Sequence, residues 1–275
     1  MVEEESEYVC LAEFLESAIA TCQPSRLNRV FTPSEAEELI RSENGSAEDL
    51  FWQAPPVLAQ ADIDTLYELA QKLASICALQ KVPVWLDGGS LLGALRHGGL
   101  IPWDDDVDFA MLKRQNSAFH ERVIPDLQSV GLKAVPWWFG GFRVFRSDAP
   151  PLSPQLPDCG RPFLDLFLLN EAKDGGLSYA NGRAAALWPC SLSKRDVQEP
   201  LQLAAFGPLK LPMPARAEEH LNGLYGEDWP RVGYQQYEHA TGQWKRRLRV
   251  QLSRWPPALP SQACSDRLRM DKNLR

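Results

Sequence analysis

The chain reads as α/β or α+β, and three observations point there. Ile63, Leu66, Leu69, Ala70, Leu73, Ile76 and Cys77 recur at helical spacing. Short apolar runs such as Val82–Leu86 and Phe163–Leu169 are long enough for buried strands and too short for helices. Strand-like and helix-like segments alternate, with no internal repeat. With 275 residues, the chain is long enough for one large domain or two small ones.

Taken in order, residues 1–58 form a partly helical extension. A weak apolar stripe runs from Tyr8 to Ala20, and Thr32-Pro33-Ser34 caps a short helix through Ile40. Residues 59–232 form the central domain. It opens with the amphipathic helix from Asp62 to Leu79, then the strand Val82–Leu86. Asp87-Gly88-Gly89-Ser90 turns that strand into a second helix, Leu91 to Arg96. Asp104-Asp105-Asp106-Val107-Asp108 opens the next strand. A helix from Phe119 to Val130 is expected to bend at Pro125. Gly141–Phe145 and Phe163–Leu169 are strands, and the five prolines between Ser147 and Pro162 make that segment a loop. A polar stretch covers Glu171–Gly182, and a helix is entered at Pro214. Residues 233–275 form a basic, proline-containing tail with Lys245, Arg246, Arg247, Arg249 and Arg254.

Composition narrows the function. Lys and Arg number 29 against 36 Asp and Glu, a net charge of −7, so a general electrostatic grip on nucleic acid is not expected. No apolar run approaches the ~20 residues that span a bilayer, and the acidic start Glu3-Glu4-Glu5 is unlike a secretory signal. A soluble, cytoplasmic protein is expected. The six cysteines form no C-x-x-C pair, so they are read as reduced thiols, without structural zinc.

The chemistry concentrates between Asp87 and Met111. Strand alternation puts Val107, Phe109 and Met111 on a core face and Asp104, Asp106 and Asp108 on the other. Three carboxylates on one face repel unless a cation lies among them. Hard divalent ions such as Mg²⁺ seek carboxylate oxygens and share their shell with substrate phosphates. The other reading is an acidic, solvated turn; flanking apolar residues and the preceding glycine turn weigh against it. In that turn Gly88 and Gly89 allow close approach, Gly89 is expected at positive φ, and Ser90 is expected to cap the helix. A helix N-terminus there suits a phosphate. Arg96 and His97 end this helix and are candidates for phosphate contacts or simply for closing it. Trp103 either packs beneath the acidic loop or stacks on a base.

The glycine turn followed by an Asp-x-Asp strand resembles the nucleotidyltransferase superfamily of DNA polymerase beta. That likeness implies a mixed sheet with flanking helices and a third acid on a later strand, here Asp165. Leu164, Leu166 and Leu168 claim the core, so Asp165 faces the other way and needs either a metal ion or a buried arginine, with Arg143 as candidate. Arg143 is equally a candidate phosphate ligand. A narrower resemblance is to the LicD family, which includes bacterial phosphocholine transferases, fukutin and the fukutin-related protein. It rests on Trp85-Leu86-Asp87-Gly88-Gly89-Ser90-Leu91-Leu92-Gly93-Ala94-Leu95-Arg96-His97 with Ile101-Pro102-Trp103-Asp104-Asp105-Asp106-Val107-Asp108. Leu164-Asp165-Leu166-Phe167, Phe206–Pro212 and Leu221–Trp229 extend it to about residues 62–230. Asp87 departs from the family pattern, and the zinc-binding loop of the fukutin-related protein has no counterpart. A Golgi location would require a membrane anchor outside this chain.

The resemblance implies a transferase that moves a phosphorylated alcohol, such as phosphocholine or ribitol phosphate, from a CDP-linked donor to a hydroxyl of a glycan or glycoconjugate. Asp106, Asp108 and Asp165 would hold Mg²⁺ or Mn²⁺, with Asp104 or one of the metal-bound carboxylates acting on the acceptor hydroxyl. Gly88, Gly89, Ser90, Arg96, His97 and Arg143 would bind the donor. The competing readings are a nucleotidyltransferase that passes NMP and a non-catalytic binding protein.

Overall fold

The computed structural model describes residues 58–238, 243–251, 257, 258, 260 and 261. The expected helices between Tyr8 and Ile40, and Cys10, Cys22, Arg254 and Cys264, lie outside them. The chain divides into two units.

The larger unit contains the central domain. Helix α1 (Gln60–Leu79) is followed by β1 (Trp85–Leu86), α2 (Gly88–His97) and β2 (Asp106–Leu112). After a helical run comes α3 (Ile124–Ser129), then β3 (Leu132–Pro136) and β4 (Phe142–Arg146). Next are β5 (Pro151–Ser153), β6 (Leu156–Gly160), β7 (Phe163–Glu171), β8 (Leu177–Tyr179) and α4 (Gly182–Leu187). The unit continues with β9 (Gln202–Phe206), β10 (Leu209–Met213) and α5 (Ala217–Tyr225). Its six-stranded sheet runs β1-β2-β7-β4-β3, with β8 on β7. β2 and β7 are parallel and the other pairings antiparallel, so the sheet is mixed, as expected.

α1 forms because its apolar residues fall on one stripe. Leu66, Leu69, Ala70, Leu73 and Cys77 are fully buried on that stripe. They join Val107, Phe109, Met111, Val144, Leu164 and Leu166 in one core. Each large side chain buried there stabilises the fold by roughly 1.5–3 kcal/mol. The alternation in β2 and β7 therefore holds: one face of each strand belongs to this core. β7's other face is also buried: its Phe167 packs against Phe139, Tyr179 and Trp188. Cys77, Cys159 and Cys190 are free thiols.

Two local expectations are corrected. The proline-rich segment 147–162 contains a hairpin, β5 with β6, because prolines at a short edge pair remove few ladder bonds. The helical run is irregular just ahead of Pro125 rather than at it, in the π-helical turn Phe119–Val123, and Pro125 follows as the second residue of α3.

The smaller unit is described through its hairpin, β11 (Val232–Glu238) with β12 (Gln243–Gln251), which is irregular between Gln235 and Tyr237. No helix among the described residues is long and apolar enough to cross a membrane.

Candidate active site

The site is built where β1 turns into α2, beside the start of β2. Asp87 N donates to the Asp108 carbonyl oxygen, extending the β1–β2 pairing by one bond. Gly88 then adopts φ +48°, a region costly for side-chain-bearing residues, and α2 begins. The positive φ thus belongs to Gly88, not to Gly89. Gly89 is required for a different reason: a Cβ there would lie 2.6 Å from Asp104 Oδ2 and 3.3 Å from Asp108 Oδ2. The Gly89 N–H donates to Asp108 Oδ2 at 2.8 Å.

Ser90 does not cap the helix. The N-cap is Asp87, and the buried Ser90 Oγ accepts the Asp108 N–H at 2.8 Å. The hydroxyl lies in the first turn of the helix, against the strand, so it ties α2 to β2. Gly98 closes α2 in the left-handed conformation, and the N–H of the next residue, Gly99, donates to the Gly93 carbonyl.

The acidic run is only partly strand. Asp104 N donates to the Ile101 carbonyl in a turn, and β2 begins at Asp106. Alternation therefore does not separate Asp105 from its neighbours. Ligand oxygens of Asp104, Asp105 and Asp106 all lie within 4.8 Å of one another. Asp105 was missed because a two-residue period was applied to residues that precede the strand. Burial, and then the charges of Asp106, Asp104, Asp165 and Asp87, push the Asp108 carboxyl well above its ordinary value.

Asp165 is the register partner of Asp108 on parallel β7, and Arg143 is its partner on β4. Arg143 Nε donates to Asp165 Oδ1 at 2.8 Å and Nη2 to Oδ2 at 3.1 Å. The Arg143 guanidinium carbon lies 4.0 Å from the centroid of Trp137 and 3.6 Å from that of Phe163. Burial opposes the Arg143 charge, and Asp165 more than restores it. Of the two competing expectations for Asp165, the structure shows the ion pair with Arg143; Asp165 is in register with Asp108, but the carboxylates that gather are Asp104, Asp105 and Asp106. With two nitrogens on Asp165 and its Nη1 facing Cys159 Sγ at 3.9 Å, Arg143 serves Asp165.

At the other end of α2, Arg96 Nη1 donates to the Trp229 carbonyl and Nε to His97 Nε2. Burial lowers the Arg96 pKa to about 10, against the supporting charges of Tyr225 and Asp104. Trp103 meets the buried His97 ring edge-on at 5.3 Å and lies 5.7 Å from the Arg96 guanidinium carbon. It packs under the loop that carries Asp104.

Three residues near the site stand outside the candidate site residues read from the sequence. The Tyr179 hydroxyl donates to Asp87 Oδ2 at 2.9 Å, and His220 Nε2 lies 2.8 Å from Asp87 Oδ1. Burial raises the Tyr225 pKa, as do the charges of Asp108, Asp104, Asp87 and Asp106. All three lie more than 70 residues from the turn they approach, beyond any local pattern. For Asp87 itself burial pushes upward, but His220, Tyr179 and the Gly88 N–H hold the carboxyl below its ordinary value.

Residues 81–216 match the family model "LicD/FKTN/FKRP, nucleotidyltransferase domain". An uncharacterized Rickettsia typhi protein, RT0683, is 24% identical over 163 residues, 59% of this chain and 46% of that protein. The human ribitol 5-phosphate transferase FKRP is 46% identical over 57 residues, covering 21% of this chain and 11% of FKRP. The Haemophilus influenzae lipopolysaccharide cholinephosphotransferase LicD is 44% identical over 45 residues, 16% of this chain and 17% of LicD. The chain spans about half the length of the two rickettsial relatives it matches over 163 residues.

Proposed function

The chain belongs to the LicD family through residues 81–216, and from that premise we propose that it is a divalent-metal-dependent transferase. It would pass a phosphorylated alcohol from a CDP-linked donor to a hydroxyl of a glycan or glycoconjugate. The observation that supports this most is the convergence of the Asp104, Asp105 and Asp106 oxygens, with Asp108 beside them, against a side-chain-free helix start. The donor set is all carboxylate oxygen, which suits Mg²⁺ or Mn²⁺. The strongly raised pKa of Asp108 fits a position that lacks positive charge. Asp106 and Asp108 would hold the ion together with Asp104 or Asp105, while Asp165, with both oxygens on Arg143, stands beside Asp108 as part of the scaffold. Such an ion, when bound, offsets the charge of the donor diphosphate and of the departing CMP.

The remaining work falls to the chain's own residues. Gly88 and Gly89 leave the space at the α2 N-terminus to the Asp104 and Asp108 carboxylates, so a donor phosphate would meet the helix start through the ion they hold. Arg96 would take a further phosphate oxygen, and His97 and Trp103 hold it in place. Asp104 would accept the proton of the acceptor hydroxyl as its oxygen bonds to phosphorus. The phosphorus–oxygen bond to CMP breaks in the same exchange. Positioning and electrostatics would supply most of the rate.

The test is incubation with CDP-choline or CDP-ribitol, an oligosaccharide acceptor and Mn²⁺, following CMP by chromatography. Release of CMP that disappears with EDTA and in Asp106→Asn supports the proposal. Pyrophosphate release from CTP would instead identify NMP transfer. Absence of turnover with retained nucleotide binding would identify a binding protein.

A further inference from the structure

Asp87 is fully buried, yet both of its carboxylate oxygens are engaged across long sequence separations. Tyr179 reaches it from β8 and His220 from α5. The His220 ring is also fully buried. Its Nδ1 accepts the Ser191 N–H at 3.5 Å, which leaves Nε2 to carry the proton donated to Asp87. The network therefore has one tautomer and one direction. A buried carboxylate is costly unless its lone pairs are filled, so this arrangement stays in place once formed.

What Asp87 holds is the turn itself. Its N–H fixes the end of β1 on Asp108, and its carbonyl receives the Leu91 N–H that opens α2. The next two residues are glycines. Glycine has no side chain to pack, so nothing in Gly88 or Gly89 can hold its own orientation. Their placement is set by the residues on either side, Asp87 before them and Ser90 after, whose Oγ accepts the Asp108 N–H, and with it the 2.8 Å bond from the Gly89 N–H to Asp108 Oδ2.

We infer that Asp87, gripped by Tyr179 and His220, is a positioning residue that aims the Gly89 N–H and thereby sets the Asp108 carboxylate of the site. The alternative is a network that merely fastens β8 and α5 to the body. The inference rests on the proposed function for its catalytic consequence, but the geometry stands apart from it.

The experiment uses the full chain with ¹⁵N-glycine labelling. The Gly89 amide resonance is followed in wild type, Tyr179→Phe, His220→Leu and His220→Gln, with thermal melts for each. Tyr179→Phe removes one O–H without changing shape, and His220→Gln keeps an N–H donor where Nε2 stood. Tyr179→Phe and His220→Leu should shift the Gly89 resonance and speed its hydrogen exchange by about tenfold, the size of one charged hydrogen bond. They should also weaken binding of Mn²⁺ alone by about tenfold, while His220→Gln stays within about threefold of wild type. A Gly89 resonance unmoved in Tyr179→Phe, in a folded protein, overturns the inference whatever the enzyme does. A resonance that moves in a wild-type background showing neither Mn²⁺ binding nor CMP release would uphold the positioning role and reject the proposed function. Should His220→Leu fail to fold, Tyr179→Phe alone carries the decision.

Discussion

Asp108 and Asp165 are in register on adjacent parallel strands, yet they are held differently. Asp165 receives a forked guanidinium from β4, itself enclosed between Trp137 and Phe163. Asp108 receives one backbone N–H, and no lysine or arginine pairs with it among the described residues. Other carboxylates surround it instead. The difference teaches where positive charge is built in and where it must be brought. A neutralised carboxylate is part of the scaffold. One crowded by like charges, at a helix start bare of side chains, marks the place for an outside cation and an anionic ligand.

The largest expected effect comes from breaking the neutralised side. Arg143→Met leaves Asp165 buried without its cation and should cost about 3–5 kcal/mol of stability in chemical denaturation. A variant that unfolds at the wild-type denaturant concentration would show that the pair contributes nothing net.

On the other side, Asp106→Asn should reduce metal-dependent CMP release by about 10²–10³-fold with the circular dichroism spectrum unchanged. Full activity in this variant would remove Asp106 from the metal set.

The two glycines sharpen the contrast between backbone and site. Gly88→Ala forces a side chain into positive φ and sets its Cβ 2.8 Å from Asp108 Oδ2, so it should lower stability by about 1–2 kcal/mol and weaken Mn²⁺ binding as well. Gly89→Ala meets no backbone penalty but pushes on the Asp104 and Asp108 carboxylates, so the melt should barely move while Mn²⁺ affinity falls about fivefold. Equal losses of stability would erase the distinction.

The smallest effect is a pH dependence in the metal-free protein. The folded-state pKa of Asp108 lies above its unfolded value of ~3.9, so the native state binds this proton more tightly. Its stabilising contribution is complete below ~3.9 and is lost as pH rises through the folded pKa. Each unit of difference corresponds to ~1.4 kcal/mol. Asp108→Asn should flatten this decline, measured as melting temperature against pH in EDTA. Asp87 contributes with the opposite sign, because its folded pKa is depressed. Its stabilisation is complete above ~3.9 and is lost as pH falls through the lower folded value. An unchanged slope in Asp108→Asn would show that its charge is already compensated.

Much of this was legible from residue order alone. Helical spacing located α1, and alternation identified the core faces of β2 and β7, because both patterns follow from local backbone geometry and burial on one side. The turn and the acidic run were legible because the family pattern they carry is contiguous. Local rules failed where the backbone changed state within a few residues. Asp105 was set aside by an alternation that starts only at Asp106, and the positive φ was assigned one glycine too late. Tertiary structure alone decided that Arg143 joins Asp165, that Ser90 receives the Asp108 N–H, and that Tyr179 and His220 converge on Asp87. The physical reason is common to all three. A buried polar group must find a partner, but which partner depends on strand order, register and helix packing that bring residues 18 to 133 positions apart into contact.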